Sequence, residues 1–369
     1  MRIALLTYST RPRGGVVHTL YLAEALARTG ASVTVFSLDR GSGSGFFRPV
    51  DPAVALRLAP FPDRPGESVT DRIVRSIEVL REFIDVTQFD VVHAQDCISA
   101  NAVGPCVRTV HHLDQFTTPV LVDCHEKAIT TPYAHVCVSH AVADEVRSGW
   151  GLTPTVIPNG VDFDRFAAAS GTDPGSVGAR ERWSVRLGRY VLAVGGIEPR
   201  KGSLDLVEAF ATLRRTHPDV SLVFAGGETL FDYRGYRAEF NRRCAELGVE
   251  PVVLGTVDDA ALPSLVAASS VFAFPSTKEG FGLAAMEALA AGRPVVARDL
   301  PILREVFGPT VDYAGSAEAL ASHLSDCLVL DADRAGRRAE QGRTLARSLT
   351  WDSAARAHLD FYAGLPARS

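Results

Sequence analysis

The sequence has no run of 18 or more consecutive apolar residues, although 46% of its 369 residues are apolar. A membrane-spanning helix needs about 20 such residues, so no integral membrane segment is predicted. The N-terminus has only a short apolar stretch before Arg11 and Arg13, whereas a signal peptide needs a longer one and a cleavage site. We therefore expect residues 2–8 to form the first strand of a cytoplasmic protein, with peripheral attachment as the only membrane contact left open.

Basic residues are not in excess either. Lys and Arg number 38 and Asp and Glu number 43, which gives a net charge of −5. A protein dedicated to nucleic acid usually carries a strong positive charge, so nucleic acid is not expected as a partner. The balance leaves room for a local basic pocket that takes one phosphorylated ligand.

The six cysteines are scattered, and no two form a C-x-x-C pair. Free, mostly buried thiols are therefore expected. One stretch rich in histidine and cysteine fits no zinc spacing, so no metal is predicted, with a zinc site as the alternative. Its members are His111, His112, Cys124, His125, His135, Cys137 and His140. His111 differs from the others because it ends an apolar strand, and His93 is the second candidate for a functional histidine on the same ground.

Two nucleotide-binding signatures are missing. The sequence has neither G-x-G-x-x-G nor G-x-x-x-x-G-K-[ST], which excludes the dinucleotide fingerprint and the P-loop kinases and ATPases. What is present is a repeated alternation of strand-like and helix-like segments. This alternation favours parallel sheets with helices on both faces. At about 100–200 residues per domain, the length predicts two such domains.

The alternation gives definite boundaries. The predicted strands cover residues 2–8, 33–37, 91–93, 107–111, 136–139, 190–194, 221–225, 252–254, 271–273 and 294–297. The predicted helices cover residues 16–29, 71–86, 140–148, 203–216, 260–268, 283–291 and 351–362. Residues 40–66 are expected to form a long loop, and the glycine-rich stretch that ends near residue 178 a linker. The domains are then 1–159 and 160–345, followed by an amphipathic helix within 346–369.

Ligands of open α/β sheets bind at the carboxyl ends of the strands, so motifs that follow strands matter most. Gly14-Gly15 follows the first strand and opens a helix, where the backbone can receive an anion or simply turn. Arg200-Lys201-Gly202 lies between the Gly195-Gly196 turn and the next helix. Two cations there predict a clamp for a diphosphate, with solvated loop charges as the alternative.

The strongest signal is Glu279-Gly280-Phe281-Gly282, which opens a helix that carries Glu287. Amides of a glycine-containing loop at a helix N-terminus favour a phosphate group. Carboxylates instead accept hydrogen bonds from sugar hydroxyls. The layout therefore predicts two sugar rings that flank a diphosphate. A pair of glycosidase carboxylates is the rival interpretation, and the phosphate-type loop between the two glutamates disfavours it.

Three segments together resemble glycosyltransferase family 4, whose members are retaining enzymes of the GT-B fold. The segments are VIPNGVD at 156–162, the stretch 194–202, and the stretch 274–296 with its E-x7-E element. The resemblance covers nearly the whole chain. It implies two doubly wound, Rossmann-like domains that face each other across a cleft. The N-terminal domain would bind the acceptor and the C-terminal domain the nucleotide-sugar donor, and the last helix would cross back to the N-terminal domain.

The resemblance also implies residue roles. Glu279 would hold hydroxyls of the donor sugar, Glu287 the ribose, and Arg200 and Lys201 the diphosphate. His111 would lie near the transferred sugar. Further substrate contacts would come from Gly14, Gly15, Gly196, Val257, Gly280, Phe281, Gly282 and Leu283. Of these, Val257 would contact the base through its backbone.

Two places depart from the family pattern. An arginine often follows the glycine of the first strand in the second domain, and here that position is Gly196. We expect Arg200 to take over its role. The segment 226–233 is unlike the usual short glycine-rich turn, which suggests a specialised donor or acceptor.

The implied activity is transfer of a hexose-type sugar from a nucleoside diphosphate donor, UDP first, to an unknown hydroxyl acceptor. Neither a metal nor another cofactor is expected, and the acceptor could be a lipid, a small metabolite or a glycan. The chain would act as a monomer or a homodimer. The alternatives are a sugar-nucleotide epimerase of the same fold and a non-catalytic sugar-nucleotide-binding protein. A glycan phosphorylase would need a cofactor lysine and a much longer chain.

Overall fold

The computed structural model describes residues 1–40, 45–113, 118–227 and 233–366. The chain divides into two compact units. Unit 1 comprises Met1–Gly160 together with Trp351–Ser369, and unit 2 comprises Val161–Thr350. The described part of each unit contains one parallel sheet with helices, which is the architecture that the alternating sequence pattern predicts.

The sheet of unit 1 is fully parallel. Its strands are β1 (Arg2–Leu6), β2 (Ser32–Asp39), β3 (Ala55–Pro60), β4 (Val91–Ala94), β5 (Val107–Val110), β6 (Ala134–Cys137) and β7 (Thr155–Val156). Their order across the sheet is β3-β2-β1-β4-β5-β6-β7. In the central strand β1, four successive residues from Ile3 to Leu6 are fully buried. A continuous buried run of this kind is typical of a parallel strand that is covered on both faces.

Five helices of unit 1 connect these strands. They are α1 (Gly14–Arg28), α2 (Val69–Phe83), α3 (Cys97–Val103), α4 (Pro119–Thr130) and α5 (His140–Trp150). Three of them begin at a side-chain cap: Ser68, Asp96 and Ser139 each accept a hydrogen bond from the backbone N–H three residues later. The helix α1 has no such cap, which leaves its first N–H groups available at the carboxyl end of β1.

The long loop predicted over residues 40–66 is wrong in part, because β3 lies within it. The strand β3 pairs with β2 from Thr34 opposite Ala55 to Asp39 opposite Pro60. Most of its side chains are exposed, so the sequence shows no buried apolar run there. Backbone hydrogen bonds at the sheet edge form this strand, and sequence periodicity does not detect them. Residues 41–44 lie outside the described residues.

Unit 2 repeats the plan. Its strands are β8 (Arg189–Val194), β9 (Val220–Ala225), β10 (Val252–Val253), β11 (Val271–Phe274), β12 (Val295–Arg298) and β13 (Asp312–Ala314), in the order β10-β9-β8-β11-β12-β13. Its helices are α6 (Phe163–Ala168), α7 (Pro174–Leu187), α8 (Ser203–Leu213), α9 (Arg234–Leu247), α10 (Leu262–Ala268), α11 (Leu283–Ala290), α12 (Pro301–Phe307), α13 (Ala317–Leu328) and α14 (Ala332–Ser348). Phe210, Phe224 and Phe240 are buried in a core between this sheet and its helices.

The prediction of a linker before residue 178 is also wrong, because α6 and the first turn of α7 lie in that segment. Asp173 caps α7 by accepting a hydrogen bond from the N–H of Ser176 at 3.0 Å, and Pro174 occupies its first turn. Trp183 then ties α7 to α10 through a 3.0 Å hydrogen bond to Ser264. The glycine content of this segment obscured an ordinary helix start signal.

The last helix, α15 (Trp351–Ala363), belongs to unit 1, as the family resemblance implies. The ring of Trp351 stacks on that of Tyr21 in α1, with centroids 5.6 Å apart. Arg28 at the end of α1 forms an exposed ion pair with Asp352. The apolar stacking, rather than this exposed pair, accounts for most of the attachment.

All six cysteines are free, as predicted, and four of them are buried. In the described ranges no helix is long and apolar enough to cross a membrane. The same ranges hold no group of three or more His, Cys, Asp or Glu side chains placed to bind a metal ion.

Candidate functional site

The carboxyl ends of β8 and β11 frame a small pocket in unit 2. The two strands are neighbours in the sheet, so the loops that leave them meet at one edge. The lining residues are Ala193, Val194, Gly195, Gly196, Lys201, Ser203, Phe224, Ala273, Phe274, Pro275 and Ser276. The pocket therefore contains Gly196 and Lys201, two of the residues that the sequence assigns to the donor site.

Glycines shape this pocket by allowing close approach of other atoms. A Cβ atom on Gly195 would lie 3.3 Å from Cε of Lys201, so the lysine side chain packs directly over this residue. A Cβ atom on Gly226 would lie 2.2 Å from the carbonyl carbon of Gly195. Gly202 has a φ of +63°, and a Cβ atom there would lie 2.1 Å from the carbonyl oxygen of Pro275. The tight backbone contacts require glycine for packing and hold the two loops together.

An ion-pair network crosses the two loops. The ammonium of Lys201 lies 2.5 Å from Oε1 of Glu279, and the guanidinium of Arg200 lies 3.4 Å from the same oxygen. Arg200 also approaches Glu198 at 3.3 Å. The N–H of Thr277 donates to the carbonyl of Arg200 at 2.8 Å, which fixes the spacing of the loops. The structure thus brings together two motifs that the sequence analysis treated separately.

The loop of Gly280, Phe281 and Gly282 leads into α11. Phe281 is buried, so its side chain belongs to the core and only its backbone is available to a ligand. Gly282 caps α11 with a φ of +94°, and a Cβ atom there would lie 2.8 Å from Cζ of Phe307. Leu283 begins the helix and is half-buried. The helix N-terminus has no side-chain cap, which leaves backbone N–H groups of the kind that bind phosphate.

Glu287 lies in α11 beside a second ion pair, which the sequence analysis missed. Arg165 and Asp259 are joined at 2.8 Å. Burial raises the pKa of Glu287 to about 8, with Arg165 opposing the shift and Asp259 and Asp162 adding to it. No local sequence signal links the three segments that supply these groups.

One polar side chain in the pocket was also missed. Ser276 is 1% exposed, and within the described ranges its Oγ has no hydrogen-bond partner. It follows Phe274-Pro275, so its position after a strand was the available signal. A buried hydroxyl without a partner is unfavourable, and a ligand oxygen in the pocket would satisfy it.

Val257 follows β10, and the segment 226–233 follows the neighbouring strand β9. Val257 is half-buried and follows β10 by four residues. Gly226 donates its N–H to the carbonyl of Gly255 at 2.8 Å, which ties the ends of β9 and β10 together. Of the unusual segment 226–233, residues 228–232 lie outside the described residues.

In unit 1, His111 follows β5 and lies against the N-terminal turn of α1. A Cβ atom on Gly15 would lie 3.6 Å from Cδ2 of His111, whereas Gly14 faces open space. The ring of His111 meets that of His18 edge to face, with centroids 4.7 Å apart. His18 in turn is hydrogen-bonded through Nδ1 to Asn159 at 2.8 Å. His18 was not singled out from the sequence, because nothing local distinguishes it from a helix residue.

The environment of His111 keeps it neutral. Burial, and after it the charges of His18 and Arg108, hold the pKa of His111 well below its usual range. In the part of the chain that the structure describes, Nε2 of His111 has no hydrogen-bond partner. A neutral ring with an unsatisfied nitrogen can contact a ligand hydroxyl.

His93, the second candidate histidine, is structural, so that interpretation is wrong. Its ring is fully buried. Nδ1 lies 2.6 Å from the hydroxyl of Tyr362, and Nε2 lies 2.7 Å from that of Thr109. Both nitrogens are engaged, so His93 ties α15 to the sheet.

Comparisons with known sequences match both units. The sequence profile described as "Glycosyl transferases group 1" matches residues 183–343, and the profile described as "Glycosyltransferase Family 4" matches residues 12–165. A phosphatidyl-myo-inositol mannosyltransferase of Mycolicibacterium smegmatis is 30% identical over 361 residues, covering 88% of this chain and 85% of that protein. A D-inositol 3-phosphate glycosyltransferase of Xylanimonas cellulosilytica is 29% identical, covering 98% of this chain and 96% of that protein.

A comparison with solved structures gives the fold. The sucrose-phosphate synthase of Thermosynechococcus elongatus superposes with a TM-score of 0.78 at 21% identity, covering 98% of each chain. At this level of identity the likeness concerns the architecture alone. It agrees with the two parallel sheets described above.

Proposed function

The chain belongs to glycosyltransferase family 4 and is a glycosyltransferase of the GT-B fold; from this premise we propose that it moves a hexose from a nucleoside diphosphate donor to an acceptor hydroxyl with retention of configuration. The observation that carries the proposal is the network of Lys201, Arg200 and Glu279 beside the glycine-lined pocket. The network supplies cations for a diphosphate and a carboxylate for sugar hydroxyls at one strand edge. The epimerase and non-catalytic alternatives lose support, because the curated relatives are named as transferases.

The cations have a definite task in this proposal. Sugar transfer passes through an oxocarbenium-like transition state, in which negative charge grows on the leaving phosphate oxygen. Lys201, Arg200 and the amides of residues 280–282 stabilise that charge from fixed positions. Since these groups are already charged and oriented, no metal ion is needed in the proposed reaction.

Donor binding must rearrange the ion pairs. In the structure the ammonium of Lys201 donates a 2.5 Å hydrogen bond to the carboxylate of Glu279. A diphosphate competes for that ammonium, and sugar hydroxyls then donate hydrogen bonds to the carboxylate. Glu287 accepts hydrogen bonds from the ribose hydroxyls. The hydroxyl of Ser276 donates a hydrogen bond to an oxygen of the nucleotide sugar in the pocket. The Gly195-Gly196 turn leaves room for the diphosphate. Arg200 replaces the arginine that the family often has at the position of Gly196.

Retention follows from attack on the same face that the phosphate leaves. The bond between the anomeric carbon and the phosphate oxygen breaks, and a bond to the acceptor oxygen forms. The acceptor proton passes to the departing phosphate oxygen. This step needs no protein nucleophile. His111 and the Gly14-Gly15 turn are assigned to positioning the transferred sugar and the acceptor.

The nucleotide and the sugar need separate tests. The sequence analysis takes UDP as the first choice, and the mannosyltransferase names of the relatives bring GDP-mannose in as its competitor. The names of the relatives also direct the acceptor search to inositol-type polyols. We expect one nucleotide to bind tightly in the presence of EDTA, when UDP, GDP and ADP are compared by calorimetry.

The decisive assay couples binding to product analysis. The nucleotide that binds most tightly is supplied as its glucose and mannose conjugates. The anomeric configuration of the product is then determined by NMR. A product with inverted configuration would contradict the proposed reaction path. Absence of binding by all three nucleotides, or activity that disappears with EDTA and returns with a metal ion, would overturn the donor-site assignment.

A further inference from the structure

Unit 2 carries three arginines at the sheet edge that lies opposite the candidate donor pocket. Arg293 precedes β12 by two residues, and its Nη1 donates a 3.4 Å hydrogen bond to the carbonyl of Ser269, two residues before β11. Because β11 and β12 are parallel neighbours, both residues lie at the amino edge of the sheet. The donor pocket lies at the carboxyl edge, and the proposed reaction assigns no role to the amino edge.

Hydrogen bonds bring a second arginine to the same place. Nη1 of Arg180, in α7, donates to two carbonyls of the loop 169–171, at 2.5 and 2.9 Å. The hydroxyl of Ser170 in that loop donates to the carbonyl of Ala291 at 2.6 Å. Ala291 lies two residues before Arg293, so the loop that holds Arg180 is attached to the turn that carries Arg293.

The third arginine, Arg343 of α14, lies over the same turn. A Cβ atom on Gly292 would lie 2.6 Å from Nη2 of Arg343 and 2.8 Å from its Cζ. Gly292 has a φ of +67° and immediately precedes Arg293, so a glycine is what lets the guanidinium lie against the backbone here. We call Arg180, Arg293 and Arg343 the arginine triad.

No carboxylate in the described ranges forms an ion pair with a member of the triad. The acidic residues close to the triad in sequence are Asp173, Glu181 and Glu340, and all three are exposed. Asp173 is engaged elsewhere, because its carboxylate accepts the N–H of Ser176 as the cap of α7. The triad is therefore held together by backbone carbonyls and packing, while its positive charges stay close to one another.

Arg293 gives an independent sign of a ligand. Its Nε is buried, and in the part of the chain that the structure describes it has no hydrogen-bond partner. Burial, and after it the like charges of Arg343 and Arg180, lower the pKa of Arg293. A buried guanidinium N–H without an acceptor is unfavourable, and an oxyanion would supply a charged acceptor to it.

The helix ends beside the triad offset only part of its charge. The helices α6 and α11 end at Ala168 and Ala290, next to the carbonyls that the triad contacts. A helix C-terminus carries about half a negative charge, so the two ends supply about one. Three guanidiniums carry three positive charges, and about two of these remain. A phosphate monoester carries about 1.5 to 2 negative charges at pH 7, which matches that remainder.

We propose that the arginine triad binds a phosphate group at the amino edge of unit 2, separately from the diphosphate clamp of the donor pocket. The helix α11 connects the two places. It begins at the loop 280–282 and ends beside Arg293, and its eight residues span about 12 Å. Binding of the phosphate to the folded chain stabilises the fold by mass action.

Inorganic phosphate is the probe, and calorimetry at constant ionic strength measures its binding to the full chain. The decisive variant is Arg343→Gln, which removes one charge from a half-buried side chain, and Arg343→Lys restores the charge. Arg347→Gln is the matched control. Arg347 lies one turn later on α14, is exposed, and has its guanidinium 4.6 Å from the centroid of the Phe163 ring. Thermal unfolding without phosphate checks that each variant is folded.

We expect Arg343→Gln to weaken phosphate binding about ten-fold, because charge-assisted hydrogen bonds to the phosphate are lost. Arg343→Lys should recover part of the affinity, and Arg347→Gln should leave it unchanged. Phosphate should raise the Tm of the wild type more than that of Arg343→Gln at equal ionic strength. Equal phosphate affinity in Arg343→Gln and the wild type, or an equal loss in Arg347→Gln, would overturn the proposal.

The variant Lys201→Ala separates the triad from the donor pocket. It should keep the phosphate affinity of the triad while it loses nucleotide affinity. Phosphate binding that disappears in Lys201→Ala and survives in Arg343→Gln would place the anion in the donor pocket and refute this inference. Nucleotide binding is recorded on the same preparations. Its absence in the wild type would contradict the proposed function and would leave the triad standing.

A last arm identifies the source of the phosphate group. Vesicles of phosphatidylcholine with and without phosphatidic acid, whose headgroup is a phosphate monoester, are sedimented with the chain. Sedimentation that requires phosphatidic acid and is lost in Arg343→Gln assigns the phosphate to a lipid headgroup. Binding of inorganic phosphate without such sedimentation assigns it to a soluble anion. Failure of both probes to bind would overturn the proposal.

Discussion

Lys201 and Glu279 form a 2.5 Å ion pair across 78 positions of sequence. The pair joins the loop after β8 to the loop after β11, and Arg200 reinforces it from 3.4 Å. It holds the pocket groups in place while no diphosphate is bound. Both charged partners are only partly exposed, so solvent screens their interaction less than that of a surface pair.

Removal of the ammonium should nearly abolish transfer. In Lys201→Ala the leaving phosphate loses a fixed positive charge, and Glu279 loses its shortest contact. We expect turnover at saturating donor to fall by about 100-fold or more, as for the loss of other preorganised charge-stabilising groups. Lys127→Ala is the control, because Lys127 forms an exposed pair with Asp123 in unit 1. Near-normal turnover in Lys201→Ala would refute the clamp assignment.

Truncation of Glu287 should act on donor binding. If this side chain holds the ribose, Glu287→Ala removes interactions that ground state and transition state share. The donor KM should then rise about ten-fold while the turnover number changes little, which steady-state kinetics over a donor series measures. An unchanged donor affinity in this variant would rule out the ribose role. Glu305→Ala in α12 serves as a control for loss of a glutamate from unit 2.

The raised pKa of Glu287 predicts a pH-dependent stability. Burial moves it from 4.5 to about 8, so the folded chain keeps a proton that the unfolded chain releases. The stability from this group is full below about pH 4.5 and declines by about 1.4 kcal/mol per pH unit as the pH rises toward 8. Urea unfolding of the wild type and Glu287→Gln between these limits should show a flatter profile for the variant. Parallel profiles would show that Glu287 titrates normally.

Gly202 should tolerate no side chain. A Cβ atom there would lie 2.1 Å from the carbonyl oxygen of Pro275, and the φ of +63° is strained for other residues. We expect Gly202→Ala to lower the free energy of unfolding by about 1–3 kcal/mol. In Gly235→Ala, within α9 and with open space around the new Cβ, the chain should instead gain about 0.5–1 kcal/mol. Thermal unfolding of both variants measures the two changes in stability. Equal changes would contradict the close contact at Gly202.

His358 should contribute to acid sensitivity of unit 1. Burial lowers its pKa to about 4, opposed by its contact with the carbonyl of Ala354. The unfolded chain takes up the proton below about pH 6.5, so the stability of the neutral ring is lost as the pH falls from there toward 4. The variant His358→Leu should show a slope smaller by about 1.4 kcal/mol per pH unit in urea unfolding. His323→Leu in α13 is the control, and an unchanged slope in His358→Leu would contradict the prediction.

The sequence by itself determined the class of fold and the main motifs. Apolar runs such as Ile3–Leu6 record burial on both faces of a strand, and Gly-rich turns after them mark the binding edge. The E-x7-E element and Arg200-Lys201 could be read because they are contiguous and follow strands. Helix caps failed as a signal at Asp173, where glycine-rich composition masked them, and the exposed edge strand β3 had no periodicity to detect.

The tertiary structure alone decided which side chains meet. Glu279 pairs with Lys201, and Glu287 lies near Arg165 and Asp259, because strand order brings distant loops to one sheet edge. The same packing places His18 against His111. Periodicity reports the environment of single residues, whereas a site depends on distances between residues far apart in sequence. Those distances are fixed only when the strands pair and the helices pack.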